Sequence, residues 1–153
     1  MSEIITDRYW MQQALLQAQL GAKEEEVPIG AILVKDNEII SAAYNQPIAS
    51  VDPTAHAEIL CIREAAKIID NYRLLDTTLY VTLEPCSMCA GAIIQARIPR
   101  VIYAAAEPRS GAAGSIFNIL QNPQLNHRVA VESGLLADDS AALLRQFFKA
   151  RRK

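Results

Sequence analysis

The stretch TTLYVTLEPCSMCAGAIIQAR at residues 77–97 sets the predicted fold of this chain. Its first seven residues are rich in β-branched and aromatic side chains, which predicts a buried strand. Pro85 then opens a predicted helix, because proline is favoured in a first helical turn. Cys86 and Cys89 are three residues apart, so both lie on one face at the amino end of that helix. A strand that leads directly into a helix is typical of a layered α/β protein.

Predicted strands and helices alternate on both sides of this stretch. Apolar residues over 7–22 have helical spacing, and residues 29–44 are typical of a hairpin that turns at Asp36-Asn37. This order predicts an α/β fold with three layers, α/β/α, and a mixed five-stranded sheet whose later strands are parallel. The other predicted elements are a helix over 52–69 capped by Asp52 or Thr54 with Pro53 at its start, a strand over 100–106, a short helix over 114–120, a short strand over 127–133 and an amphipathic helix over 137–151.

Size and composition are those of a globular protein. The 153 residues contain 51% hydrophobic and 21% charged side chains, which predicts a single domain over 1–153 with its own core. The apolar run IGAILV is too short to span a membrane, and MSEIITDRYW lacks the basic and apolar segments of a secretion signal. We therefore expect a cytoplasmic protein without membrane contact. Three cysteines make a disulfide framework improbable and favour metal or redox chemistry for Cys86 and Cys89.

The carboxyl end is basic although the net charge is −2. Residues 145–153, RQFFKARRK, contain Arg145, Lys149, Arg151, Arg152 and Lys153 and no acidic residue. This asymmetry fits a local surface that binds anions. It also fits a solvated helix end whose cations complement the helix dipole.

A second motif, TAHAEIL at residues 54–60, supplies His56 and Glu58 near the start of another predicted helix. One His and two Cys are ligands that zinc prefers, so His56, Cys86 and Cys89 predict a zinc site. Because three ligands leave one tetrahedral position for water, the pattern favours catalytic over structural zinc. Glu58 is then expected to stay off the metal and to take the proton of that water.

Two other interpretations apply to the same residues. Cys-x-x-Cys is also the pattern of a redox dithiol, but a redox dithiol does not explain His-x-Glu at a second helix start. The four residues could instead be a core His, an exposed Glu and two packed Cys.

His-x-Glu followed by Pro-Cys-x-x-Cys is the signature of the zinc-dependent nucleobase deaminases. The chain further resembles the family of tRNA-specific adenosine deaminases over nearly its whole length. The matching stretches are EVPIGAILV, YNQPI, DPTAHAE, NYRLLDTTLYVTLEPCSMCAGA, GAAGS, NHRV and FFKARR. The resemblance implies a cytidine deaminase-like fold, one Zn²⁺ per subunit, a homodimer, and hydrolysis of the C–N bond that converts the wobble adenosine of a tRNA anticodon loop, in an arginine tRNA, to inosine.

The resemblance also implies roles for single residues. His56, Cys86 and Cys89 would hold zinc, Glu58 would carry protons, and Asn45 would hydrogen-bond the target base or simply end the hairpin as a turn residue. Val27 and Ile29, on either side of Pro28, would wall the base pocket or pack in the core. The N–H of Ala57 would help to orient the substrate. Phe148, Lys149, Arg151 and Arg152 would contact RNA, although helical spacing also predicts Phe147 and Phe148 as core.

The chain departs from the family at EPRSGAAG, where Glu107 replaces the usual Asp, and at YAAAE, which has Ala where members often have Gly. Glu107 would still accept a hydrogen bond from the ribose. Tyr72 and Arg73 fit a turn at a helix end better than an RNA contact. His127 is expected to make a structural hydrogen bond, and Cys61 to be buried. Competing functions are a zinc deaminase of free cytidine, cytosine or guanine, and a non-catalytic RNA-binding module stabilised by zinc.

Overall fold

A computed structural model of the chain describes residues 6–151. These residues form, in order, α1 (Asp7–Lys23), β1 (Gly30–Lys35), β2 (Glu38–Tyr44), α2 (Ala57–Ile69), β3 (Thr78–Leu83), α3 (Ser87–Ala96), β4 (Arg100–Ala105), β5 (Ala130–Ser133) and α4 (Ala137–Arg151). None of these described helices is long and apolar enough to cross a membrane.

The strands form one mixed sheet in the order β2-β1-β3-β4-β5. β1 is antiparallel to both β2 and β3, whereas β4 is parallel to β3 and to β5. β1 and β2 are joined at Asp36 and Asn37, whose φ angles of 51° and 62° suit the tight hairpin turn predicted there. The predicted mixed five-stranded sheet is therefore confirmed.

Successive side chains of a strand point to opposite faces of the sheet, so the buried residues of the strands form one core on each face. Leu33 and Val81 pack with α2 and α3 on one face. Ile32 and Tyr80, their neighbours in the chain, pack with Met11 of α1 on the other face. α4 contacts α1 and strands β3 and β4. Helices thus cover both faces, as the predicted three layers require.

Helix α2 begins later than the sequence predicts. Neither Asp52 nor Thr54 is its cap, since His56 occupies the N-cap position. The carboxylate of Asp52 accepts hydrogen bonds from the N–H and hydroxyl groups of Thr54, at 2.9 and 2.8 Å. This local turn satisfies the Asp side chain before the helix starts. The side-chain oxygen of Asn45 accepts the Ala57 N–H at 2.8 Å instead, so a residue from the end of β2 caps α2.

The helix predicted over 114–120 does not form. These residues form turns and a short bridge between Ala113 and Asn118. Gly114 has a φ of 135°, which no helix contains, and the N–H groups of Ala113 and Ser115 donate to the carboxylate of Glu84. Apolar spacing suggested a helix, but the backbone pairs differently: the N–H of Gly114 donates to Phe117 at 2.8 Å and the N–H of Ile119 donates to Ala112 at 2.9 Å.

Candidate active site

The His-x-Glu and Cys-x-x-Cys motifs meet where the first turns of α2 and α3 come together. His56 is the N-cap of α2 and Cys86 is the N-cap of α3. The Nδ1 atom of His56 lies 3.6 Å from Sγ of Cys86 and 3.5 Å from Sγ of Cys89. The three atoms lie within 4.8 Å of one another. Two helix amino ends thus bring three donors to one point.

This donor set fits zinc. One imidazole nitrogen and two sulfurs are ligands that zinc prefers over harder cations. Among the residues that the structure describes, this is the one group of three or more His, Cys, Asp or Glu residues placed to hold a metal, and Glu58 does not belong to it. The site therefore offers three protein ligands, with Glu58 next to them.

A hydrogen bond between the two cysteines shifts their pKa values in opposite directions. A hydrogen bond from Cys89, with a further one from His56, lowers the pKa of Cys86 to about 3. The same Cys86–Cys89 hydrogen bond, together with burial, raises the pKa of Cys89. A hydrogen bond to Cys86 raises the pKa of His56. Thiols must be deprotonated to hold a metal, so metal binding at this cluster would release protons.

Glu58 is a buried carboxyl group beside this cluster. It is 4% exposed, and burial raises its pKa to about 7. A carboxyl group with a pKa near neutrality both accepts and donates protons at physiological pH. Its placement suits proton transfer and not metal binding.

A cleft of about 1040 Å³ opens above the cluster. Of the residues predicted from the sequence, those lining it are Val27, Ile29, Asn45, His56, Glu58, Cys86, Glu107, Phe148 and Arg151. Pro28, Ala57, Cys89 and Lys149 do not line it, and Arg152 falls outside the described residues. Arg145, part of the basic end predicted as an anion-binding surface, also lines the cleft. Other lining residues were not predicted from the sequence: Pro47, Leu83, Glu84, Ala105, Ala106, Pro108, Arg109, Ser110, Ala141 and Leu144.

Asn45 connects the hairpin to the site. It directly follows β2, is 5% exposed, and its side-chain oxygen holds the N–H of Ala57 at the start of α2. It therefore both ends the hairpin and lines the cleft. The N–H of Ala57 is bonded to Asn45 in this structure, so any influence of Ala57 on a substrate passes through Asn45.

The carboxyl-terminal helix forms one side of the cleft. Phe147 is 7% exposed, whereas Phe148 is 45% exposed, so the prediction that both are core residues holds only for Phe147. The guanidinium of Arg151 lies 3.5 Å from the centre of the Phe147 ring. The Phe147 and Phe148 rings contact edge to face at 5.4 Å. This helix presents aromatic and cationic groups to the same cleft as His56 and Cys86.

Two buried carboxylates each hold a loop by its backbone N–H groups. Glu26 is 1% exposed and accepts the N–H groups of Ile48 and Ala49. Glu84 is 3% exposed and holds the loop that follows β4. The sequence contains one indication of a role for these two residues. Glu26 directly precedes Val27-Pro28 and Glu84 directly precedes Pro85-Cys86, within stretches that resemble the deaminase family. A glutamate is usually exposed to solvent, so the residue type alone does not predict that either side chain is buried.

Three other residues have the structural surroundings expected of them. The Nε2 atom of His127 lies 2.9 Å from the carbonyl oxygen of Ile98. Cys61 is fully buried in the core, where burial raises its pKa to about 12. Tyr72 is 72% exposed in the bend that follows α2.

Comparison with known proteins gives the family. The profile of the MafB19-like deaminases matches residues 5–152. A tRNA-specific adenosine deaminase of Streptococcus pyogenes serotype M18 (strain MGAS8232) is 49% identical over 145 residues, 95% of this chain and 91% of that protein. A solved structure from a study of A-to-I editing by tRNA:A34 deaminases at the wobble position of transfer RNA has a TM-score of 0.86 and 43% identity, covering 89% of this chain and 99% of that chain.

Guanine deaminases share the fold. The guanine deaminase of Bacillus subtilis has a TM-score of 0.66 and 31% identity, covering 97% of this chain and 98% of that chain. Both the identity and the structural agreement are thus higher with the tRNA deaminases. The chain belongs to the tRNA-specific adenosine deaminases, within the cytidine deaminase-like proteins.

Proposed function

We propose that this protein deaminates adenosine to inosine by hydrolysis at the wobble position of a tRNA anticodon loop, that of an arginine tRNA. One observation supports an RNA substrate in particular: a single cleft contains both the His56, Cys86 and Glu58 cluster and the Phe148 and Arg151 side of α4. A free nucleobase needs only the cluster. A loop of RNA also needs cations for its phosphates and an aromatic surface for its unstacked bases.

The chemistry requires water to replace the amino group at C6 of adenine. Zinc held by His56, Cys86 and Cys89 would supply Lewis acidity that makes water nucleophilic at neutral pH. Glu58 takes one proton from the attacking water as the C6–O bond forms and delivers it to N1. Glu58 then takes the remaining proton of the new C6 hydroxyl group and delivers it to the amino group, so that the C6–N bond breaks, ammonia leaves and inosine remains. The buried carboxyl group of Glu58 suits both halves of this transfer because its pKa is about 7.

The base is held by the walls of the cleft. The side-chain oxygen of Asn45 is occupied by the N–H of Ala57, so its amide NH₂ is the group that remains for the base. Val27 and Ile29 provide apolar surface for the ring, and Pro28 between them fixes their backbone. Glu107 accepts from the ribose, although its Oε1 also accepts the N–H of Arg109 at 2.9 Å.

The target base must be accessible. Extruding a base from a paired stem requires unpairing and unstacking, whereas an anticodon loop presents bases that are already unpaired. Phe148, with 45% of its surface exposed, can stack against a neighbouring base. Lys149, Arg151 and Arg152 would neutralise phosphates of the same loop.

The proposal includes an oligomeric state and a cellular compartment. We expect a homodimer with one zinc ion per subunit, acting in the cytoplasm. Exposed apolar side chains at Ile48 and Val51, 73% and 90% exposed, support a surface that a second subunit covers. Sedimentation measurements on the zinc-loaded protein would test the dimer.

The deciding experiment compares substrates. Zinc-loaded protein is incubated separately with an anticodon stem-loop that carries adenosine at the wobble position, with free cytidine and with free guanine. We expect inosine from the stem-loop and no product from the free compounds. A stem-loop with its adenosine moved one position is the matched control. Uridine or xanthine without inosine would refute the proposal, and wobble-adenosine loops from arginine and other tRNAs test the preference.

A further inference from the structure

Glu84 is a buried carboxylate to which the proposed chemistry assigns no role. It lies between the end of β3 and Cys86 and is 3% exposed. Its oxygens accept the N–H groups of Glu107, Ala113 and Ser115 at 3.0, 2.9 and 3.1 Å, and the hydroxyl of Ser115. No salt bridge found among residues 6–151 includes Glu84. Backbone and hydroxyl dipoles, not a cation, therefore solvate this charge.

All of these donors belong to the loop over residues 106–115, and residues 106–110 of that loop line the cleft. The loop also packs tightly on the carboxylate at Gly111, where a Cβ atom would lie 2.3 to 2.5 Å from the Glu84 carboxylate atoms. Only glycine allows this approach.

Backbone hydrogen bonds join the same loop to the turn that carries Cys86. The N–H of Glu84 donates to Ala105 at 2.9 Å, and the N–H of Ala112 donates to Pro85 at 2.8 Å. Cys86 and Gly111 form a short antiparallel bridge. The metal-binding turn and the loop are thus one hydrogen-bonded unit with the Glu84 carboxylate inside it.

We propose that Glu84 is a positioning residue for substrate binding. Its carboxylate holds loop 106–115 in the conformation in which residues 106–110 form a wall of the cleft next to the target base. This role rests on the proposed function for the identity of the substrate, but the loop contacts do not depend on it. A carboxylate is suited to this position because it accepts several hydrogen bonds and donates none.

The test replaces the Glu84 carboxylate by a neutral amide group of nearly the same shape. In Glu84→Gln the amide NH₂ faces N–H donors, so at least one of them loses its acceptor. Glu107 donates to one carboxylate oxygen, and Ala113 and Ser115 donate to the other. In the zinc-loaded variant we therefore expect amide exchange to be about tenfold faster at Glu107 or at Ala113 and Ser115, because losing one such hydrogen bond changes a local equilibrium by about that factor. We expect KM for the stem-loop to rise about tenfold and kcat to change less than about threefold, since the wall acts on binding.

Two control variants make the result specific. Glu26→Gln removes another buried carboxylate, so it should accelerate exchange at Ile48 and Ala49 and leave Ala113 and Ser115 unchanged. Ser115→Ala removes one hydroxyl donor from an exposed residue and should raise KM by a smaller factor. It also provides the test if Glu84→Gln does not fold.

Each result has a distinct meaning. Unchanged exchange at all three of Glu107, Ala113 and Ser115, unchanged KM, or loss of zinc with an unchanged loop would overturn the inference. If the wild-type protein produced no inosine, the proposed function would fail, while amide exchange would still decide whether Glu84 holds the loop. An active wild type with an unaffected Glu84→Gln would overturn only the inference.

Discussion

Glu58 and His56 lie two positions apart at the start of α2 and have different surroundings. Residues two positions apart point in different directions along a regular helix. His56 is the N-cap of α2, where its backbone is still extended, and Glu58 is in the first turn. The imidazole therefore reaches Cys86 and Cys89, while the carboxyl group stays buried beside them.

Replacing Glu58 by Gln should abolish turnover without removing zinc. The amide has nearly the same shape, but it cannot accept and return a proton, so we expect kcat to fall about 10³-fold, within the usual range for general acid–base catalysis. Cys86→Ser should instead lose zinc. Glu64→Gln, an exposed position on the same helix, is the matched control. Metal analysis and inosine formation are measured on all three, and a Glu58→Gln variant with normal activity would favour a non-catalytic RNA-binding module.

The type and spacing of residues predicted that His56, Cys86 and Cys89 would form one cluster, because each half of the site lies within a few residues of its own helix start. The roles of Glu26 and Glu84 could not be predicted in the same way. Glu84 accepts hydrogen bonds from residues 23 to 31 positions later in the chain, and its partners are backbone groups that any residue type carries. Only the folded structure shows that these carboxylates are buried.

At the level of elements, periodic apolar spacing predicted the long helices and the strands because each buries one face. It failed where tertiary contacts decide the backbone. Asn45 accepts the first N–H group of α2, and residues 112–119 pair their backbone in a non-helical way, with the N–H of Ile119 donating to Ala112. Both effects depend on tertiary contacts that local propensity does not contain.

Helix α1 is attached to the sheet by a charged group at its amino end. Both oxygens of Asp7 accept hydrogen bonds from Arg100, and Tyr80 donates its hydroxyl to one of them at 2.6 Å. The hydrogen bond from Arg100, against the effect of burial, holds the pKa of Asp7 below its usual value. Asp7 therefore contributes to stability above the pKa of an unfolded Asp, and this contribution is lost as the pH falls through its folded-state pKa.

Asp7→Asn should accordingly destabilise the protein at pH 7 and much less in acid. We expect the free energy of unfolding to fall by about 1 kcal/mol, a modest value because the pair is about one-third exposed to solvent. The difference from wild type should shrink below about pH 4. Asp139→Asn, exposed in the first turn of α4, removes an equal charge at a helix start and is the control. Urea unfolding at several pH values measures both, and an equal loss in the two variants would refute the role of Arg100 and Tyr80.

For the whole molecule, the distribution of charged side chains affects the affinity for RNA more than the net charge does. The net charge of −2 predicts no affinity for a polyanion, yet Arg109, Arg145 and Arg151 all line the cleft. Helix α4 continues to Arg151, whose guanidinium packs on Phe147, so this part of the basic end is folded onto the protein. The composition of residues 145–153 suggested an anion-binding surface, but its position beside His56 follows from the packing of α4 on the sheet.

This arrangement predicts how salt affects RNA binding. If Arg145 neutralises one phosphate of the loop, Arg145→Gln should weaken binding of the anticodon stem-loop and reduce the slope of log K against log salt by about 0.7, the value for one contact with a single strand. Lys67→Gln is the matched control, because Lys67 is in the last turn of α2 whereas the cleft is at its first turn. We expect Lys67→Gln to leave the slope unchanged. Binding titrations at four or more salt concentrations measure both, and equal slopes for wild type and Arg145→Gln would show that the RNA does not follow α4. Arg145 is the better position to change than Arg151, since removing Arg151 would also remove its contact with Phe147 and confuse lost packing with lost charge.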